Sequence, residues 1–418
     1  MLHKGYRLRY IGNNIPHRHK GHSMSELRLH FTHDEFAQRL AKVRAAMTAQ
    51  GIDTLVVHDP SNMAWLTGYD GWSFYTPQAV IVGAVGEPLW YGRNMDANGA
   101  RRTVYMQPQN ILSYPDHYVM NPPRHAMEHL GSETLAERGW HTGSVGVEMD
   151  NYYFSATAFF ALQKNLPDAK LVDATGLVNW CRAIKSEQEI SYMRVAARIA
   201  ENMHRAAFEM IEPGLPKNNL VAEIYKVAML GHEGDFGDYP AIVPMLPSGA
   251  DASAPHLTWD ERPFKHNEGT FLELAGCHKR YHCPLSRSIY LGSPSDDFRR
   301  AEAALIAGLD AGLAVAKPGN LCSDLANTLN QTLAEHGFDR GGARCGYPIG
   351  LSYPPDWGER TMSLRDSDST VLEPGMTFHF MPGLWMDDWG IETTESILIT
   401  ETGVETLCDY PRHLFVKP

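Results

Sequence analysis

The chain has 418 residues, enough for two or three domains and for a large core with an enclosed pocket. Hydrophobic residues make up 43% and charged residues 21%, and the formal charge is −12, so nothing electrostatic favours nucleic acid or an anionic membrane. No run of eighteen apolar residues occurs, which excludes a helical membrane span of ordinary length.

Residues 1–23 carry Lys4, Arg7, Arg9, Arg18 and Lys20 with His3, His17, His19 and His22, no acid, and no apolar stretch of the signal-peptide kind. Residues 1–24 therefore read as a disordered arm or an extension from an upstream start, with Met24 as a second candidate start. From 34 to 50, Phe36, Leu40, Val43 and Met47 fall on one helical face, and Gly51 ends the helix. Residues 52–57 then read as a buried strand closed by Asp59-Pro60, with further strands expected at 79–82 and 88–91. This is an α/β domain over residues 25–178.

A second domain is expected over 179–418. Ser186 and Glu189 form a capping box before a helix whose Ile190, Met193, Ala197, Met203, Ala207 and Met210 share one face. A second helix is expected at 220–230, then strand-like runs at 241–246, 270–275 and 285–291. The order recurs with helices at 301–316 and 321–335 and strands at 376–380 and 396–400. Pro213-Gly214 stands six residues before Leu220, as Pro318-Gly319 does before Leu325. Self-similarity at about 105 residues predicts an internal duplication: an α+β domain with a pseudo-two-fold axis and a cleft between its halves.

Cys181, Cys277, Cys283, Cys322, Cys345 and Cys408 show no paired spacing and are expected as free thiols of a cytoplasmic protein. Nucleotide-binding, nucleophile-elbow and zincin motifs do not occur, and His232-Glu233 lacks a second histidine. Cys277, His278, His282 and Cys283 match no usual zinc spacing and read as structural.

Four segments carry a resemblance. They are Arg182-Ala183-Ile184-Lys185-Ser186-Glu187, Ser253-Ala254-Pro255-His256, Leu372-Glu373-Pro374-Gly375-Met376 and Leu398-Ile399-Thr400-Glu401-Thr402-Gly403. They are similar to the creatinase/methionine-aminopeptidase/prolidase family, whose catalytic domain has the pita-bread fold; a weaker likeness lies around 62–69. The resemblance implies a creatinase-like α/β domain followed by a pita-bread domain, assembled as a homodimer. It places His256 at the family's catalytic histidine. Metal-dependent members hold two cations with two aspartates eleven residues apart, a histidine and two glutamates. Anchored on Leu285-Ser286-Arg287, those five positions hold Glu273, Pro284, Tyr347, Met381 and Glu395 here. Two carboxylates with Pro, Tyr and Met do not make a dinuclear site, so neither a metal nor another cofactor is expected.

Glu273, His256 and Glu395 remain as candidate catalytic residues. Carboxylates accept the N–H bonds of a cationic amidine or guanidine, and imidazole moves protons near neutral pH. Creatinase itself resembles this solution. Glu273 is expected as a nucleophile or an orienting carboxylate, His256 as general acid/base, and Glu395 as the holder of the cation. Each has a plainer alternative: a hydrogen-bonded core histidine for His256, a surface strand position for Glu395, and a structural partner for Glu273, whose apolar strand makes a lone carboxylate expensive. Most aromatics read as core, and some as a cage for a cation. Trp72, in the loop-like 70–73 stretch, Tyr347 and His379 are expected to bind substrate. The expected activity is hydrolysis of a C–N bond in a small nitrogenous molecule. An amidinohydrolase of linear guanidines, a metal-dependent lyase or X-Pro peptidase of the same fold, and a non-catalytic binding protein are the alternatives.

Overall fold

In a computed structural model, residues 27–121 and 124–418 are described; the expected arm at 1–24, with its four histidines, lies outside them. Thr32 caps the helix His33–Ala49 by accepting from Glu35 N. Its buried stripe includes Phe36, Leu40, Val43 and Met47, and the chain leaves through Gly51 at φ 66°. β1 (Thr54–Val57), β2 (Ala79–Gly83), β3 (Leu89–Arg93), β4 (Ile111–Tyr114), β5 (Gly143–Val147) and β6 (Ala169–Asp173) form one sheet in the order β4-β3-β2-β1-β5-β6. β1–β2 and β2–β3 pair antiparallel, and the other pairs are parallel. Every residue of β1 is buried, as a central strand covered on both faces requires.

Ser186 and Glu189 complete the expected capping box on the 24-residue helix Glu187–Met210. The helix Lys217–Leu230 follows, then β7 (Glu268–His278) and β8 (Tyr281–Leu291), an eleven-residue antiparallel ribbon. The second half repeats the order with helices Asp296–Val315 and Cys322–Glu335. Its strands are β9 (Gly346–Pro348), β10 (Thr377–Phe380), β11 (Gly383–Trp385), β12 (Gly390–Glu392), β13 (Glu395–Ile399), β14 (Val404–Thr406) and β15 (Phe415–Lys417). β14-β13-β10-β9 form one sheet, β11 pairs with β12, and β15 joins β8.

The duplication is visible in individual bonds. Gly214 donates to Phe264 O and Phe264 N to Leu215 O; Gly319 donates to Leu372 O and Leu372 N to Asn320 O. Both glycines are left-handed, at φ 92° and 88°, the conformation that lets a Pro-Gly junction redirect the chain into its next helix. One expectation fails: 241–246 is not a strand. Pro240, Pro244 and Pro247 remove the amides a ladder needs, and only Met245 pairs, exchanging both backbone bonds with Glu273.

The N-terminal sheet is tied to the pita-bread halves by buried charge. Arg182 Nη1 donates to Asn62 Oδ1 at 2.7 Å, and Asn62 Nδ2 to Glu148 Oε1 at 2.6 Å. Glu359, 3% exposed, takes Lys185 Nζ at 2.5 Å and Arg182 Nη2 at 3.3 Å. The basic residues of the 182–187 segment thus serve the junction between domains. Glu359→Ala leaves two buried cations without their counter-charge and is expected to cost about 3–5 kcal/mol in denaturant unfolding. A loss below about 0.5 kcal/mol, the range of an ordinary surface change, contradicts this account of the junction.

Candidate active site

Alternation along the β7–β8 ribbon puts Glu273 and Ala275 on one face with their cross-strand partners Ser286 and Pro284. Glu273 is 6% exposed, and its carboxyl group makes no hydrogen bond among the described residues; His379 Nδ1 stands 3.8 Å from Oε1. β12 comes from the second half and packs on β7, bringing Glu392 to the same place. Glu392 is buried, and its Oε2 has no partner among the described residues. The Ser288 hydroxyl fixes the backbone of this residue, donating to Glu392 O at 2.9 Å and accepting from its N at 3.0 Å. Burial, then the nearby Glu392 charge, holds Glu273 well above the usual carboxylate range. Burial raises Glu392 to about 7, opposed by the neighbouring Ser286 hydroxyl and Arg340. Two buried carboxyls with raised values, side by side, would ionise as a cation arrives, releasing protons to solvent.

A polar chain backs the pair. Ser286 N donates to Thr394 Oγ1 at 2.7 Å, and Thr394 Oγ1 lies 2.8 Å from His379 Nε2. The Thr394 hydroxyl has no other acceptor among the described residues, so the bond pattern assigns its proton to His379 Nε2 and the ring proton to Nδ1. Nδ1–H then faces Tyr347 Oη at 3.1 Å, with Glu273 beyond. Trp357 Nε1 also donates to Tyr347 Oη, at 2.7 Å. With two donors on its oxygen, Tyr347 keeps its own O–H for the pocket. Burial, reinforced by Arg287, lowers His379 to about 3, so the ring is neutral; burial and Glu273 push the Tyr347 phenol well up.

The structure therefore brings Glu273, Tyr347 and His379 together and adds Glu392 and Thr394, which the sequence reading missed. It does not add Glu395. That residue is 1% exposed, and its Oε1 accepts from Arg287 Nη2 at 2.7 Å and Arg412 Nε at 2.9 Å, so two guanidiniums take the charge meant for a substrate cation. His256 is exposed, in the turn after the short 3-10 helix Gly249–Ser253, which packs on β7 and β12. Its ring makes no hydrogen bond among the described residues. Trp72 is 57% exposed and packs on Phe74 and Tyr239, with no hydrogen bond to either carboxyl among the described residues.

Among the described residues, no group of three or more His, Cys, Asp or Glu side chains is placed to hold a metal. The donor set does not fit a cation pair: Pro284 faces the pocket beside Glu273, Met381 packs in an apolar cluster with Tyr347, and Glu395 is engaged by arginines. The Cys-His cluster does not converge on one point either: Cys277 Sγ lies 4.0 Å from His282 Nδ1, but the other contacts lead elsewhere. His282 Nε2 accepts from Ala241 N, His278 Nδ1 bonds Phe236 O, and Cys283 Sγ lies 3.7 Å from Cys408 Sγ.

Comparison with known proteins agrees with this geometry. The model of metallopeptidase family M24 matches residues 191–401, and that of the creatinase/prolidase N-terminal domain matches residues 39–184. The chain is 64% identical over 399 residues to the ectoine hydrolase of Halomonas elongata, covering 94% of this chain and all of that one. It is 25% identical over 396 residues to the creatinase of a Bacillus species, covering 91% and 92%. The solved prolidase of Pyrococcus horikoshii OT3 superposes with a TM-score of 0.76 at 19% identity, covering 90% and 99%, which shows a shared fold.

The carboxyl pair sets a pH dependence. A carboxyl whose folded value exceeds its ordinary 4.5 holds its proton better folded than unfolded. Stability from it is present below 4.5 and lost as the pH climbs through about 7. Glu392→Gln, neutral at every pH, should therefore raise stability relative to wild type by about 1–3 kcal/mol at pH 8 and change it little at pH 5. Denaturant titrations at both pH values check this; an equal change at the two contradicts a raised Glu392.

Proposed function

We propose, from the premise that this chain belongs to metallopeptidase family M24 and carries a creatinase/prolidase N-terminal domain, that it hydrolyses the cyclic amidine ring of ectoine. The product is an N-acetylated diaminobutyrate, and neither a metal nor another cofactor takes part. The hydroxylated ring presents the same amidinium and falls under the same reading. The observation that carries it is the buried pair Glu273 and Glu392, of which Glu273 makes no side-chain hydrogen bond and Glu392 Oε2 has no partner among the described residues, joined to the likeness with the Halomonas elongata enzyme. An amidinium spreads one positive charge over two N–H-bearing nitrogens, and two carboxylates offer the matching acceptors. On entry of the cation the carboxyls give up their protons, and the charge-assisted bonds orient the ring for attack.

In this reading Glu273 is the nucleophile. Its oxygen forms a bond to the amidine carbon, and the π pair moves onto a ring nitrogen. The ring C–N bond then breaks as His256 supplies a proton to the departing nitrogen. Water takes the carbon from Glu273 and leaves the acetamide. Glu392 holds the amidinium, the task first expected of Glu395. Tyr347 O–H and the neutral His379 Nδ1–H are donors for the oxygen that gains charge. In the version without a covalent step, Glu273 orients the ring while water attacks.

The remaining assignments follow the same reading. The domain boundary is placed between 178 and 179, with a homodimer in which Trp72 reaches the pocket of the neighbouring copy. No described helix is long and apolar enough to cross a membrane. The location proposed for the protein is the cytoplasm. The acetamide product calls for a deacetylase as the next activity.

Glu273→Gln is expected to abolish turnover of ectoine and still to bind it in calorimetry, because the amide keeps shape but lacks charge and nucleophilicity. Turnover near the wild-type rate removes Glu273 from the chemistry. His256→Ala should lose roughly 10²–10⁴-fold in kcat. Activity should survive exhaustive chelation; loss on chelation, restored by a divalent cation, overturns the metal-independent reading.

A further inference from the structure

Arg340 stands in the loop between the helix Cys322–Glu335 and β9. Its Nη2 donates to Arg344 O at 3.3 Å, whereas Nε and Nη1 are buried without a partner among the described residues. It makes no ion pair within 4 Å among them. The Cys345 thiol is within side-chain hydrogen-bonding reach of the guanidinium but supplies no counter-charge, since burial keeps it protonated. The guanidinium carbon is 5.7 Å from the centre of the Trp385 ring, and the Trp385 Nε1–H is likewise buried and unpartnered.

These donors belong beside the carboxyl pair. In the β11–β12 ribbon Gly383 pairs with Glu392 and Trp385 with Gly390, so Trp385 and Glu392 project from one face. The indole lies across both glycines. A Cβ at Gly383 would meet Trp385 Cζ2 at 2.8 Å and Glu392 Cγ at 3.3 Å, and one at Gly390 would meet Trp385 Cδ1 at 3.2 Å. A side chain at Gly383 would push the ring from Glu392, and one at Gly390 would strike Ala252 O, at 2.0 Å, first. Arg340 is close enough for its charge to act on Glu392, yet the two do not bond. A buried cation and a buried acid, each with unpaired atoms and held apart, cost more than either bonded to the other. That arrangement suits a ligand carrying both charges.

We propose that Arg340 and Trp385 Nε1 bind the carboxylate of the substrate, so that the pocket selects a zwitterion, with an amidinium on Glu273 and Glu392 and an anion on the donors beside them. The proposal rests on the amidine reading of the same pocket. A planar fork with two free N–H groups matches a carboxylate in two parallel bonds, and the indole adds a third donor.

The test compares kcat/KM for ectoine with that for the same methylated ring lacking its carboxylate, and reads their ratio. Arg340→Gln is expected to lower the ratio by about 10²-fold, mostly through KM for ectoine. Trp385→Phe, which removes one N–H and keeps a ring, should lower it about tenfold. Arg340→Lys, which keeps charge but not the fork, should fall between wild type and Arg340→Gln. Damage to folding or to the chemistry strikes both rings and leaves the ratio in place, so a ratio unchanged within about twofold in both Arg340 variants overturns the proposal. A wild type that opens neither ring overturns the amidine reading and this inference with it, a result distinct from an unchanged ratio.

Discussion

Two carboxyl groups, Glu273 and Glu392, are buried against each other on strands from opposite halves of a duplicated domain; Glu273 makes no side-chain hydrogen bond, and Glu392, beside the Ser286 hydroxyl, leaves Oε2 without a partner among the described residues. The other buried glutamates are treated differently. Glu148 accepts from His58 N, Asp59 N and Asn62; Glu189 from Trp65 and Tyr281; Glu201 from Asp409 N; Glu359 from Lys185 and Arg182; Glu395 from Arg287 and Arg412. The fold therefore gives each of these acids at least one donor, although Glu395 Oε2 has no partner among the described residues. It leaves open the two that meet at the interface of the halves, where a lone pair without a donor has a desolvation cost and a binding use.

The surroundings keep that pair reactive. A cation close enough to bond would lower both carboxyls and fix them as a structural salt bridge. Arg287, on the strand paired with that of Glu273, is engaged by Glu395 and the Thr394 and Tyr410 carbonyls. Arg340 acts on Glu392 through its charge but makes no ion pair within 4 Å among the described residues. His379 is kept neutral by burial and held by Thr394, so it offers a hydrogen bond without a charge. The wall of the pocket thus contains donors that orient and acids that wait. The N-terminal sheet is fastened by a separate set of charges around Glu359, which lets the junction be strong without touching the pocket.

Much of this was legible in sequence. Helix starts followed from caps such as Ser186, and the duplication followed from paired Pro-Gly junctions whose glycines are left-handed in both halves. Glu273 was legible because a carboxylate inside the apolar strand 271–275 demands a reason. Its partner was not. Glu392 and Glu395 stand three residues apart, and an ungapped reading along the strand selects Glu395. The chain breaks between β12 and β13 at Thr393 and Thr394, where Thr393 N turns to Pro382 O, and that break decides which acid enters the pocket. The strand expected at 241–246 failed for a local reason, three prolines. Trp72 was read correctly as exposed in a loop, but its distance from the carboxyl pair depends on how the domains pack, which no local pattern encodes.

The central claim is that a buried protonated carboxyl pair waits for a cation. Proton release on binding tests it most directly. Glu273→Gln enzyme, titrated with ectoine at pH 6 by calorimetry in buffers of different ionisation enthalpy, should release about one proton per site, because Glu392 is protonated below about 7 and must ionise to hold an amidinium. The release should vanish when Glu392→Gln is added. Binding with no proton released, or with release unaffected by Glu392→Gln, would contradict the account.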